Sequence, residues 1–351
     1  MKKMKGLIRM KKRLSYIDIA KAFAIFYIVL GHTIVHSQNS YLALKFVCSF
    51  HVVLFFVLSG FTFKINTSFK NFAEKKFLRI MVPYFIWAVL FLLPYYILGR
   101  STGEELGTSQ SFDLLLMLKN IVYANGNNAA LKQNSSLWFL PALFIIEIGY
   151  YFIIKFTKGN YKKETITLLI LILFGYMFSN YFPFILPWAI NTFINIGFFF
   201  YIGYLLNEHN VFEKFNAKAL LIVCLIIGLF CCFWGNKIHL SYIDFYYGNY
   251  IFMVLSGLFL SAFTICLSKV IDKCSVLEYI GRNTMGILIF HKLFVIIFQT
   301  KLGFMSKLLM DSNFLTEMAI AILVSAVSIL LSLIISFPIK KIAPFMLGEN
   351  K

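Results

Sequence analysis

The chain has 351 residues, of which 60% are hydrophobic and only 14% charged. A soluble domain is nearer half apolar and about a quarter charged, so soluble enzymes are excluded and a polytopic membrane protein is expected. Lys and Arg outnumber Asp and Glu by 33 to 15; in such a chain the excess reports loop orientation, not a nucleic-acid partner.

A spanning helix needs about 20 predominantly apolar residues. Ten such segments follow one another, at 16–36, 45–63, 80–98, 136–156, 165–182, 186–206, 217–235, 248–268, 279–299 and 314–337. The expected fold class is all-α: one integral membrane domain over 1–351, a bundle of about ten transmembrane helices. The first segment carries Asp18 and Lys21 in its first turns and no small-residue cleavage site follows, so it reads as a retained helix rather than a signal peptide. Ser59-Gly60, near the end of the second segment, is a small pair suited to close helix packing. The longest polar stretch, 99–135, includes an amphipathic piece near 111–123 that could lie in the interface or re-enter the membrane.

Loop charges orient the bundle. With the N-terminus in the cytoplasm, the basic leader 1–14, the loops 64–79 and 155–164 and the later inner loops hold 23 Lys and Arg, against 7 outside. Both termini are therefore expected in the cytoplasm and 99–135 outside, in a multi-pass protein of a bacterial-type cell membrane.

Ionisable residues inside spans are costly and mark bundle interiors or water-filled cavities. Asp18, Lys21, His32, His51, Glu147 and His291 stand out, with Lys292 beside the last. Lys21 and His32 are eleven positions apart, which puts them on one helix face about 16 Å apart along the axis. Asp18 lies close to the same face. His32 ends the first span on the outside and His51 opens the second, so a hairpin over 33–50 can bring both imidazoles to one depth, where proton chemistry is expected. No carboxylate or Cys at ligand spacing accompanies them, so no metal is expected. The six cysteines form no C-x-x-C pair and read as small apolar residues. His36 reads as an exposed, inert residue.

At this point several blocks combine. IDIAK and KAFAIFYIVLGH, FHVVLFFVLSGF, KKFLRIMVPYF, LWFLPALF and IGRNTMGILIFH occur in this order between residues 17 and 291. The set resembles the acyltransferase-3 family of integral membrane O-acyltransferases, whose signature spaces a basic residue and a histidine as Lys21 and His32 are spaced here. LWFLPALF resembles the fucose 4-O-acetylase-like branch. The chain departs from the family pattern in having Lys21 where Arg is commoner, Val53 for a proline, and Leu143 where many relatives place a glutamate.

The resemblance implies transfer of an acetyl group from acetyl-CoA to a hydroxyl of a cell-surface or lipid-linked carbohydrate. His32 would act as general base, or carry the acetyl group itself between two half-reactions. Lys21, Lys76 and Arg79, with Arg282 as a further candidate, would meet the anionic donor on the cytoplasmic side. His51 would orient His32 or bind the acceptor, and Trp138 reads as an interfacial anchor or a sugar-stacking platform. Glu147 is nominated as a mid-membrane carboxylate, and His291 as a partner near the site. The rival reading is a transporter or exporter of a lipid-linked sugar without acyl transfer; membrane lipid is a partner in both readings.

Overall fold

Five of the long apolar helices begin at an asparagine whose side chain accepts a backbone N–H two or three residues on: Asn134, Asn160, Asn216, Asn249 and Asn313. The first N–H groups of a helix have no partner within it, and Asn satisfies one of them. These caps set where the apolar runs turn helical in a computed structural model that describes residues 14–34, 40–101, 113–124, 131–182, 184–301 and 313–349. The leader before residue 14, His36 and the parts 102–112 and 125–130 of the 99–135 stretch lie outside the described residues.

In chain order the helices are α1 (Ser15–Thr33), α2 (Tyr41–Cys48), α3 (His51–Phe61), α4 (Phe69–Lys76), α5 (Val82–Leu90), α6 (Leu92–Ser101), α7 (Leu114–Tyr123), α8 (Ser135–Thr157), α9 (Tyr161–Tyr181), α10 (Ile190–Ile196), α11 (Phe198–Glu208), α12 (Val211–Lys214), α13 (Ala217–Phe230), α14 (Tyr250–Ile271), α15 (Ser275–Arg282), α16 (Thr284–Lys301) and α17 (Phe314–Ile342). Among the described residues there is no strand, only an isolated bridge between Ser241 and Tyr246. Eight helical runs are long and apolar enough to cross a membrane, and two bent pairs raise the number to as many as ten. The protein is an all-helical, multi-pass membrane protein.

The spans differ from the sequence expectation where apolar composition runs unbroken through a bend. The second starts at Tyr41 and is interrupted at Ser49–Phe50, between α2 and α3. His51 therefore sits inside this span rather than at its mouth. The third runs over Phe69–Ile97, so Lys70, Lys75, Lys76 and Arg79 stand on a helical run, not in a loop. A wide turn at Phe77–Met81 interrupts it. The sixth bends by 57° between α10 and α11, and the ninth by 83° between α15 and α16. The piece near 111–123 is the short helix α7, capped by Asp113 and tied to α5 by the Tyr84 hydroxyl on the Ile121 carbonyl (2.8 Å).

Helix α1 is the centre of the bundle and packs against α3, α14, α15, α16 and α17. Asp18 is accordingly only 2% exposed. Helices α3 and α11 meet backbone to backbone. A Cβ on Gly60 would sit 1.8 Å from the Phe200 carbonyl oxygen, and one on Gly203 would sit 2.0 Å from that of Val57. Only glycine permits this approach. On α17, Ser325, Ser332 and Ser336 return their hydroxyls to carbonyls one turn back, which leaves a narrow face; Ser325 also bonds Thr33 of α1 (2.8 Å).

Both described chain ends lie at the same end of the bundle. The start of α1 rests on α15, while Lys340 of α17 bonds Asn283 (3.2 Å) and pairs with Glu349 (2.6 Å). Lys76, Arg79, Lys269, Arg282 and Lys340 gather at or toward this basic end. His32, at the other end of α1, marks the histidine end.

Candidate active site

At the basic end, α15 crosses the start of α1 so closely that a Cβ on Gly281 would lie 1.8 Å from the Asp18 carbonyl oxygen. This crossing and the 83° bend put Arg282 at a corner. Its Nε donates to Asp18 Oδ2 at 3.2 Å, and its Nη2 to Glu278 Oε2 at 2.6 Å. The Ser15 hydroxyl donates to the same Glu278 carboxylate. Lys21 follows one turn along α1.

Lys76 and Glu147 were nominated for separate reasons, and the structure joins them. The Lys76 ammonium lies 2.8 Å from both Glu147 oxygens and within 6 Å of the Phe63 and Phe72 rings. A carboxylate in the middle of the apolar helix α8 thus has its cation, delivered from the neighbouring span. Arg79 lies one turn on, exposed, in the wide turn after α4.

The histidine end brings together residues from four spans. His32 lies in the last turn of α1, His51 opens α3, Trp138 lies in the first turn of α8, and His291 is buried in α16. His32, His51 and Trp138 line one cavity of about 290 Å³. His291 stands behind the wall, its ring centroid 5.4 Å from that of His32. A break in the second span makes this possible: the turn at Ser49–Phe50 starts α3 at cavity depth.

Two of these rings have a fixed orientation. His51 Nδ1 is 2.9 Å from the Val47 carbonyl oxygen, and His291 Nδ1 is 2.8 Å from that of Ile287. A carbonyl only accepts, so both Nδ1 atoms carry the hydrogen, and each neutral ring keeps its lone pair on Nε2. His291 Nε2 lies 3.3 Å from the Ser136 hydroxyl, which therefore donates to it. The Asn134 amide fastens the start of α8 to α16 through the Ile289 carbonyl (2.7 Å).

The remaining wall is segment 236–249, between α13 and α14, which lays His239, Ser241 and Asp244 against the cavity. Ser241 donates to Asp244 (2.7 Å), and the Tyr242 hydroxyl donates to the Ser49 carbonyl (2.8 Å). Sequence reasoning did not single out these residues, nor Ser135 and Ser136. The polar run Asn-Ser-Ser directly before an apolar span was the one available signal for the serines. Among the described residues no three His, Cys, Asp or Glu side chains converge as a metal site.

Partly buried imidazoles, an aromatic wall and polar groups on one cavity suit proton removal from a hydroxyl. The sequence matches a family profile described as an acyltransferase domain over residues 14–337, which takes in both ends of the bundle. The chain belongs to the acyltransferase-3 family. It is a membrane acyltransferase, and its chemistry joins an acyl donor to an acceptor. No curated protein and no solved structure matches the chain. Within this acyltransferase the structure separates the candidate residues into two groups. His32, His51 and Trp138 share the cavity with His291 behind them. Asp18, Lys21, Lys76, Glu147, Arg79 and Arg282 lie toward the basic end or midway, outside the cavity wall.

Proposed function

We propose that the protein moves an acetyl group from acetyl-CoA to a hydroxyl of a cell-surface or lipid-linked carbohydrate, as the fucose 4-O-acetylase-like block suggests. The basic end faces the cytoplasm and the histidine end faces outward. His32 takes the proton of the acceptor hydroxyl as that oxygen attacks the acyl carbon, and returns it to the departing thiol. His51, with Nε2 as its lone-pair nitrogen, orients the acceptor, and Trp138 offers a face for a sugar ring.

The observation that carries this reading is the cavity of about 290 Å³ on which His32, His51 and Trp138 meet. Its size suits one sugar unit rather than a transport path. The cations at the opposite end support an anionic donor. Lys21 and His32 are about 16 Å apart along one helix, a separation that an acyl group on the extended arm of CoA can bridge. Arg79, exposed at the basic end, is the better placed phosphate contact; Lys76 already holds Glu147 and Arg282 already holds Asp18.

The test compares surface glycans from cells with and without the protein for ester-linked acetyl. Acetyl esters present only with the protein, together with thiol release from acetyl-CoA by isolated membranes, are expected. Unchanged esters and no thiol release would refute acetyl-CoA and surface carbohydrate as donor and acceptor and point to other substrates for the acyltransferase.

A further inference from the structure

The first two residues of α8 place two hydroxyls side by side at the cavity, and their hydrogens are used differently. The Ser136 hydrogen is spent on His291 Nε2, because Nδ1 of that ring already donates to Ile287. Ser135 has the opposite arrangement. Its Oγ is met by the Lys292 ammonium. An ammonium has three hydrogens and no lone pair, so Lys292 donates and Ser135 accepts. Among the described residues no acceptor takes the Ser135 hydrogen, and Ser135 lines the same cavity as His32.

Lys292 is unusual for a second reason. It stands in the apolar helix α16, next to buried His291, and among the described residues no carboxylate is within ion-pair distance of it. A cation within a span and only partly exposed is costly without a counter-ion. Such a cost is recovered where negative charge develops during a reaction, because a preset donor in a water-poor site needs no reorganisation. The start of α8 adds the positive end of its helix dipole at the same place.

We propose that Ser135, positioned and polarised by Lys292, donates the hydrogen bond that holds the carbonyl oxygen of the acyl group as it becomes negative. The proposal rests on the reading of His32 as base and of a thioester as donor. The acceptor oxygen bonds to the acyl carbon as its proton passes to His32. The carbonyl π pair moves onto oxygen, where the Ser135 hydrogen meets it. The pair then returns, the carbon–sulfur bond breaks, and the thiolate takes the proton from His32. One ester and one thiol result, and no charge is left over. Ser135 touches the reacting oxygen; Lys292 acts through Ser135 and is a positioning residue.

The experiment uses the full-length protein in detergent, acetyl-CoA as donor, and surface glycan from cells lacking the protein as acceptor. Thiol release gives kcat and KM. Ser135→Ala is expected to lower kcat by about 10²–10³-fold, the usual loss for one such donor, with KM for acetyl-CoA and thermal stability nearly unchanged. Ser135→Thr keeps the hydroxyl and should retain most of the rate. Lys292→Met should lower kcat, yet cost little more when added to Ser135→Ala, because both act on one hydrogen bond. Full kcat in Ser135→Ala, a loss confined to KM, or fully multiplicative losses in the double variant would each overturn the proposal. Wild-type protein that releases no thiol from acetyl-CoA would overturn the donor reading and this proposal with it. An active wild type beside an equally active Ser135→Ala would overturn this proposal alone.

Discussion

Replacing His32 by alanine separates catalysis from packing. The ring borders a cavity of about 290 Å³, so truncation widens an existing space rather than leaving a sealed void. Truncations that do leave sealed voids cost about 2–5 kcal/mol, and His32→Ala is expected to cost less. A general base, by contrast, contributes about 10²–10⁴-fold in rate, or about 3–5 kcal/mol of barrier. His32→Ala should therefore remove detectable O-acetylation while membrane insertion, abundance and melting temperature stay near wild type. His32→Gln, similar in size and still able to hydrogen-bond, should be as inactive, because an amide does not take the proton. His36→Ala, which lacks the family match, should be nearly silent. Labelled acetyl-CoA offered without acceptor then tests the covalent route: label retained by wild type but not by His32→Ala would place the acyl group on the imidazole. Wild-type O-acetylation in a folded His32→Ala protein would refute the assignment of His32.

Three further outcomes are expected. An impermeant maleimide added to intact cells should label Cys48, which lines the cavity, and spare Cys274 between α14 and α15, which should react only after permeabilisation; the reverse pattern would invert the membrane orientation. Glu147→Ala should destabilise the protein by about 3 kcal/mol by stranding the Lys76 ammonium, whereas Glu147→Leu with Lys76→Met should restore most of that loss in a detergent melt; equal damage from the pair would mean that the ion pair is not the reason for the carboxylate. Gly60→Ala drives a methyl group to 1.8 Å from the Phe200 carbonyl oxygen, so α3 and α11 must separate, with an expected loss of about 1–3 kcal/mol; an unchanged melt would show that this contact is looser.

Much of the bundle is legible in the sequence because lipid demands an apolar run of fixed length. The seventh span was expected at 217–235, and the structure has Ala217–Gly235. The bends are not legible for the same reason: Ile196, Gly197 and Phe198 are as apolar as an unbroken helix would be, and the one local sign of the 57° turn there is Gly197, where a Cβ would lie 2.3 Å from the Phe193 carbonyl oxygen. His32 and His51 are visible because imidazoles are conspicuous among Ile, Val and Phe. The union of Lys76 with Glu147 is not, since the partners are 71 residues apart and nothing in either segment names the other. Segment 236–249 carries polar residues as any loop does. Only its position over the cavity gives His239, Ser241 and Asp244 a meaning.

A cavity wall made of loop must be fastened, or the cavity it borders has no fixed shape. The break between α2 and α3 bears on this, because it leaves the Ser49 carbonyl to the Tyr242 hydroxyl (2.8 Å) rather than to a helical N–H. Swinging segment 236–249 aside would strand that oxygen in a poorly hydrated place, at a cost of about 1–3 kcal/mol. The segment is thereby held against the cavity by about 5- to 150-fold over an arrangement with this bond broken. The irregularity that sets His51 at its depth thereby also fastens the wall that faces it.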